Sequence, residues 1–395
     1  MSPKKRILIV DKSFAFGGIQ TSLLNLTAAL KDCYEFDILV FHNAGGLKAR
    51  VPEGVRVITP SFQVRLHGMG VRDALQTKNP FIIVPRLLYG VSDKLFGNRL
   101  SFAFSLFFQP ILKGYDVAIA FHHEDSRKAT VSGFYRFVLN RTDAPLKLGW
   151  IHYDPRHISF DDRVNLSLMK QMDRIVCVSK SCAEIFAQRY PDLTDKIAYA
   201  YNFHDIDRVL QLSDSPPLMP MDSDAFCCFS ACRLTKEKAI DRAVCAFAEA
   251  LHRFQDVKWY IAGEGPEREN IEQMIAKYNL SEQIILLGAT ENPYAYMKRS
   301  DLYLQVSQHE AAPMVFGEAA ICKVPILATN TTSAKELIFP GCGIVCENTE
   351  EALRTTFTYL LEHREHIASL KAAYEQKRFS NSLAAESFSL LIKNI

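Results

Sequence analysis

One pattern limits what this chain can fold into. A short β-branched run is followed by a turn and then by a segment with helical spacing, and the unit recurs along the whole length. Arg6–Val10 (RILIV) stops at Asp11; Phe16-Gly17-Gly18 follows; Ile19–Leu30 then carries apolar residues at 19, 23, 24, 26, 28 and 30. A short apolar run bounded in this way has the character of a parallel strand buried on both faces. Phe36–Phe41, Asp116–Phe121, Lys147–Ile151 and Arg174–Val178 repeat it, and a helix is expected from about Ser181 to Arg189. Beyond the polar, Pro-rich Ser213–Asp224 the pattern restarts, with strands at Ala225–Ala231, Lys258–Ala262, Gln283–Leu287, Leu302–Val306, Pro325–Ala328 and Gly343–Val345. Asp241–Phe254 and Glu267–Tyr278 read as helices between them. Such alternation predicts an α/β chain of doubly wound, mostly parallel sheets. The 395 residues suit two domains of ~200 residues each. The boundary is placed near Tyr201–Asp207, giving domains 1–203 and 204–378 and a last segment 379–395.

Several classes are excluded or disfavoured. No apolar run approaches the ~20 residues of a spanning helix. The start MSPKKRILIVDKS has the basic residues of a signal peptide, but its apolar stretch is too short for one. The ten cysteines show no C-x-x-C pair, so they read as buried free thiols in a reducing compartment and not as a metal or disulfide framework. The net charge of +2 conceals a basic half, +8 over residues 1–205, and an acidic half, −6 over the remainder. No nucleic-acid motif accompanies the basic half, and an anionic lipid or anionic substrate accounts for it as well. Residues 80–113 are aromatic, apolar and basic, and 60–115 hold seven Lys/Arg against two Asp/Glu. A core helix pair and a surface that dips into an anionic bilayer both fit this stretch.

The strongest chemical signal is Ser307-Gln-His-Glu310-Ala-Ala-Pro-Met-Val-Phe-Gly-Glu318, after one strand and before a helix. Pro313 suits the first helical position, where a missing N–H does no harm. The amides of Met314 and Val315 would then leave the positive end of the helix open to a diphosphate. Glu310 and Glu318, flanking that end, suit a ligand rich in hydroxyls, since a carboxylate only accepts hydrogen bonds. The second signal is Arg233 and Lys238, five apart in the loop after the strand Ala225–Ala231. Ligands of open α/β sheets sit at such strand ends, and two cations there can clamp a diphosphate. Gly263-Glu264-Gly265 follows another strand, but Arg268 occupies the third glycine position of a dinucleotide fingerprint, so Gly263 is read as a turn whose amide faces a nucleotide. His122-His123-Glu124-Asp125 ends an N-terminal strand, where it either lines an acceptor site or forms a solvated loop. Asp222 and Asp224 imitate a metal-binding pair but lie in the Pro-rich loop.

Together these residues resemble a known family. The Glu310/Glu318 spacing, Arg233 and Lys238 some seventy residues earlier, the Gly17-Gly18 turn, His152 in GWIHYDP, and the VCVSKSCAEIF and YNFHDID stretches are similar to the retaining glycosyltransferases of family 4, with bacterial capsule, exopolysaccharide and lipopolysaccharide enzymes closest. The chain departs from the family pattern at Ala311 and Ala312, where Gly and an aromatic are usual, and at Ala239, where Gly is usual. The resemblance implies the GT-B arrangement of two Rossmann-like domains facing across a cleft, an acceptor-binding first domain, a nucleotide-sugar-binding second domain, and a last helix packing back on the first. It implies that Glu318 holds the ribose, that Arg233, Lys238 and the Met314 and Val315 amides hold the diphosphate, and that Glu310 contacts the donor sugar. His152 would sit by the anomeric carbon, and Gly17 and Gly18 would let backbone approach the phosphate or acceptor. No metal and no cofactor is expected beyond the nucleotide sugar, a UDP-sugar by preference. The expected acceptor is a saccharide, lipid-linked, and the expected location is cytoplasmic, at the inner face of the plasma membrane. A sugar-nucleotide epimerase or hydrolase of the same fold, and an inactive relative serving as a partner subunit, are the alternatives.

Overall fold

The computed structural model describes residues 3–124, 131–157 and 162–393. The chain divides into two compact units, residues 1–203 together with 382–395, and residues 204–381. Each is an all-parallel sheet flanked by helices, the arrangement that buries a strand on both faces.

The first sheet contains β1 (Arg6–Ser13), β2 (Glu35–His42), β3 (Arg56–Ile58), β4 (Val117–Ala120), β5 (Leu146–Ile151), β6 (Arg174–Cys177) and β7 (Ile197–Tyr199), in the order β3-β2-β1-β4-β5-β6-β7. Ile9 pairs with Ile38 on one side and Ile119 on the other, and all three are fully buried. The second sheet contains β8 (Phe226–Ala231), β9 (Val257–Ala262), β10 (Ile284–Gly288), β11 (Leu302–Gln305), β12 (Ile326–Thr329) and β13 (Gly343–Cys346), in the order β10-β9-β8-β11-β12-β13. Strand order reverses at β1/β4 in one unit and at β8/β11 in the other, and these are the points where doubly wound sheets open a ligand crevice at their strand C-termini.

Packing follows the apolar stripes. Helix Ile240–Arg253 turns Ala243, Val244, Phe247 and Leu251 inward, and Phe247 stacks on Phe357 with ring centroids 4.0 Å apart. In the first unit the chain returns through helix Ser382–Leu391, which packs on β7. Its Phe388 is fully buried, with its ring 5.9 Å from that of Tyr34 and 6.3 Å from that of Trp150.

Two strands escape the run-and-turn pattern. β3 and β7 are three residues long and only partly buried, so neither produces a β-branched apolar run. His122, His123 and Glu124 are buried, which rules out the solvated-loop reading, while Asp125 lies outside the described residues. Glu124 accepts from Ser132 Oγ (2.5 Å) and from the amides of Gly133, Tyr135 and Arg136, so it serves as the anion at the start of helix Phe134–Arg141. The cysteines are free thiols. Burial pushes Cys232 and Cys322 up to about 12, so both stay protonated at neutral pH.

Asp11 ends the buried part of β1 and is fully buried; Gln20 Nε2 donates to its Oδ2 at 3.3 Å, while its Oδ1 lacks a partner. Burial raises its carboxyl from 3.8 to about 6, which corresponds to about 3 kcal/mol against the charged form. A carboxyl whose pKa is raised by folding destabilises the protein above that pKa and ceases to do so once pH falls below the unfolded value. Asp11→Asn should therefore raise the unfolding free energy at pH 7 by about 2 kcal/mol, after about 1 kcal/mol for altered hydrogen bonding, and lower it by about 0.5 kcal/mol near pH 4, where little of the ionisation gain is left. Urea titrations at the two pH values measure this, and an equal effect at both would contradict it.

Candidate active site

The second unit collects most of the chemistry at the C-terminal ends of β8 and β11. After β8 the chain runs through Cys232, Arg233 and Leu234 into the single turn Lys236–Lys238 and reaches helix Ile240–Arg253 through Ala239. Ala239 sits in the left-handed region at φ 52°, at a cost of about 1–2 kcal/mol for a residue with a Cβ. This is the position where the resemblance expects glycine, and the backbone keeps the glycine-type conformation.

Glu310, in the loop after β11, is the hub. Its Oε1 accepts from Lys238 Nζ at 2.5 Å, from Gln305 Nε2 at 2.7 Å and from Ser307 Oγ at 2.9 Å. Three donors on one oxygen fix the carboxylate's orientation and balance its charge, and both members of the Lys238–Glu310 pair are largely shielded from solvent. The two loops are also joined through backbone, Gln308 N–H donating to Glu237 O at 2.8 Å. Thr329 Oγ1 holds Ser307 O at 2.5 Å, and Ser333 Oγ donates to Ala311 O. Arg233 differs from Lys238: its side chain is 72% exposed and its nearest carboxylate is Glu237 at 3.6 Å, a weak surface pair.

The helix after this loop is Met314–Ile321, with Pro313 at its N-cap and not at the first helical position. Pro313 has extended ψ (129°), so the turn begins one residue later and Met314 and Val315 supply the leading N–H groups. Phe316 N–H already donates to Pro313 O at 3.3 Å. Glu318 lies more than one turn inside, buried, and accepts from Tyr294 Oη at 3.0 Å. His204 Nε2 lies 3.0 Å from Met314 O, and a Cβ on Gly317 would come within 2.3 Å of the same nitrogen, so Gly317 makes room for the His204 ring.

Gly263 has φ 149°, and a Cβ there would lie 1.7 Å from Cys232 O. Its N–H donates to Gly288 O at 2.8 Å, so that amide is committed within the protein, and the glycine is required by the close approach of two loops.

Gly17, Gly18 and His152 belong to the first unit. Gly17 caps helix Gly18–Leu30 after β1 with extended backbone, φ 174°. His152 follows β5; its ring centroid is 4.6 Å from that of Phe121, and burial, reinforced by His122 and His123, holds it well below the ordinary histidine range. It is therefore a neutral imidazole at pH 7, and its Nε2 has no hydrogen-bond partner among the described residues.

Residues missed from sequence are Gln305, Ser307, Tyr294 and His204. Ser307, three residues before Glu310, had a readable signal, since short hydroxyl residues at that spacing often bond a carboxylate in a loop. Tyr294 is remote in sequence from Glu318 and left none, while His204, remote from Met314, stood in the YNFHDID stretch without a role of its own.

Comparisons with known proteins bear on the family and the fold. Residues 220–377 match the family model described as glycosyl transferases group 1. An uncharacterized glycosyltransferase of Methanocaldococcus jannaschii, MJ1059, is 26% identical over 179 residues, 44% of this chain and 44% of that protein. The O-antigen biosynthesis glycosyltransferase WclY of Escherichia coli is 24% identical over 166 residues, 42% of this chain and 46% of that one. The chain thus spans less than half the length of these curated relatives. Among solved structures, Anabaena HepE in complex with UDP and glucose aligns over 98% of this chain and 99% of its own, with TM-score 0.68 at 18% identity. Sucrose-phosphate synthase of Thermosynechococcus elongatus aligns over 99% and 98%, with TM-score 0.67 at 15% identity. The chain has the two-domain GT-B fold, and residues 220–377 of its second unit, which hold Arg233, Lys238, Glu310 and Glu318, are similar to the glycosyl transferases group 1 family.

Proposed function

We propose that this protein is a retaining glycosyltransferase of family 4 that moves a sugar from a UDP-sugar to a lipid-linked saccharide, in building a cell-surface polysaccharide such as capsule, at the cytoplasmic face of the membrane. The observation that carries the reading is the Lys238–Glu310 pair beside the N-terminus of helix Met314–Ile321, at the switch point between β8 and β11. Cation and carboxylate there serve two parts of one ligand. Lys238, Arg233 and the Met314 and Val315 amides hold the diphosphate; Glu310 accepts from sugar hydroxyls; Glu318 accepts from the ribose.

In the reaction the bond from the anomeric carbon to the phosphate oxygen breaks, the acceptor oxygen bonds to that carbon, and the acceptor proton leaves with the nucleoside diphosphate. The leaving group gains negative charge, which the two cations and the helix end stabilise without a metal ion. On the first unit, the acceptor-binding one, His152 acts as a neutral hydrogen-bonding group, and Gly17 and Gly18 allow close backbone approach. HepE was solved with UDP and glucose, which supports the choice of donor base.

Calorimetric titration of UDP, GDP and ADP in chelator tests this reading. UDP should bind, and Glu318→Ala and Arg233→Ala should each weaken it by about 30-fold or more, the loss of one or two charge-assisted hydrogen bonds. Absence of binding to any nucleoside diphosphate would overturn the reading in favour of an inactive relative. UDP-sugar turnover without acceptor would favour the epimerase or hydrolase.

A further inference from the structure

Residues Pro80–Phe96 and Asn98–Phe107 form two consecutive helices of the first unit that pack on one another. The first is inside out, and the second turns large apolar side chains outward as well as inward. On the first, Phe81, Val84, Leu88, Val91 and Leu95 follow helical spacing along one stripe and all are exposed, Leu88 by 64%. The residues this helix buries are Arg86 and Asp93, 0% and 1% exposed. On the second helix Leu100, Phe104 and Phe107 are exposed, Phe107 by 76%, while Asn98, Ser101 and Ser105 are buried together with Phe102 and Leu106.

The polar groups make the inner seam. Ser101 Oγ donates to Asp93, Arg86 Nε donates to Met69 O at 2.5 Å, and His67 Nε2 lies 3.2 Å from Ser101 Oγ. Burial, with Arg86 and Arg136 nearby, pushes His67 down to about 3, so it remains neutral in the seam. A helix on an aqueous surface turns its apolar stripe inward and its charges outward. On the first helix charges are buried at a desolvation cost while aromatic and branched side chains face outward, which is the arrangement for an apolar medium outside.

Charge identifies that medium. Arg72, Lys78, Lys94 and Lys113 are exposed around the stripes, and within residues 60–115 Asp73 is the sole exposed carboxylate. We propose that this face docks on an anionic phospholipid bilayer, the apolar stripes entering the acyl boundary and the lysines resting at the head groups. Neither helix is long and apolar enough to cross a membrane, so the contact is interfacial. A two-fold contact with a second copy would set Lys78 and Lys94 against their own kind with Asp73 the single exposed carboxylate of residues 60–115 to answer them. None of the nucleotide-site residues takes part, so the inference stands or falls apart from the proposed transferase activity.

Cosedimentation of the full chain with phosphatidylcholine vesicles, with and without about 30 mol% phosphatidylglycerol, is the test. The wild type should pellet with the anionic vesicles and bind at least about tenfold less to phosphatidylcholine alone. Leu88→Glu/Phe107→Glu should lose vesicle binding by a similar factor while keeping the wild-type melting temperature, since both positions are exposed. Lys78→Glu/Lys94→Glu, which leaves the stripes intact, should lose the preference for anionic lipid. Equal pelleting of the wild type and the Leu88/Phe107 variant would overturn the proposal. So would failure of the wild type to pellet, or a dimer in light scattering that the same variant converts to monomer.

Discussion

Lys238→Met is expected to slow sugar transfer by about 10³-fold while leaving the fold in place. The lysine is one of two side-chain cations at the crevice, and its ammonium lies 2.5 Å from Glu310 Oε1. Removing one preorganised donor aimed at developing negative charge costs about 10²–10³ in rate. A second loss comes from Glu310, whose position for the sugar then depends on Gln305 and Ser307 alone. Methionine keeps the stem's packing, so the effect on stability is confined to the carboxylate left without its cation, about 3 kcal/mol if Glu310 stays charged. The double variant Lys238→Met/Glu310→Gln separates the two contributions. It should recover most of the stability, because Gln305 and Ser307 still find an acceptor, and none of the transfer. Steady-state turnover of UDP-sugar alongside thermal unfolding reads both quantities. Recovery of transfer in the double variant would reduce the pair to a structural contact.

Gly263→Ala is the second large effect, this time on the fold. The added Cβ would meet the carbonyl oxygen of Cys232 at 1.7 Å, in a backbone conformation, φ 149°, that only glycine adopts with ease. Relaxation is blocked on both sides: Cys232 N–H donates to Ala262 O at 3.0 Å and Leu234 N–H to Glu264 O at 2.9 Å. Clash and strain together should destabilise the second unit by about 4 kcal/mol or more, the range reserved for named backbone and packing faults. Arg233→Ala, one residue beyond the clash but 72% exposed, should change stability by less than about 0.5 kcal/mol. Urea denaturation of the two variants makes the comparison, and a Gly263→Ala protein as stable as wild type would refute the close-approach account.

The long buried strands were readable because burial on both faces leaves an uninterrupted β-branched run, as in RILIV of β1 or VAIA of β4. Their ends moved by one to three residues, since the last ladder bond depends on the neighbour strand and not on local composition. β3 and β7 lie at the sheet edges with little burial, so they carried no such signature. Arg233, Lys238, Glu310 and Glu318 stood out through their places after strands and through the resemblance to a family pattern. What holds Glu310 was not, because Lys238 reaches it across seventy-two residues. For Pro80–Phe96 the helical period was legible but its orientation was not: period fixes which residues share a face, and the buried Arg86 and Asp93 decide which face turns inward.

The first unit is discontinuous in the chain, residues 1–203 being completed by 382–395. Synthesis proceeds from the N-terminus, so Phe388 reaches the rings of Tyr34 and Trp150 only after the whole second unit has left the ribosome. Until then one face of β7 and the cavity for Phe388 lie open in the nascent protein. The second unit, contiguous from 204 to 381, has no such wait. Order of manufacture and order of maturation are thereby reversed: the part made first is the part that finishes last.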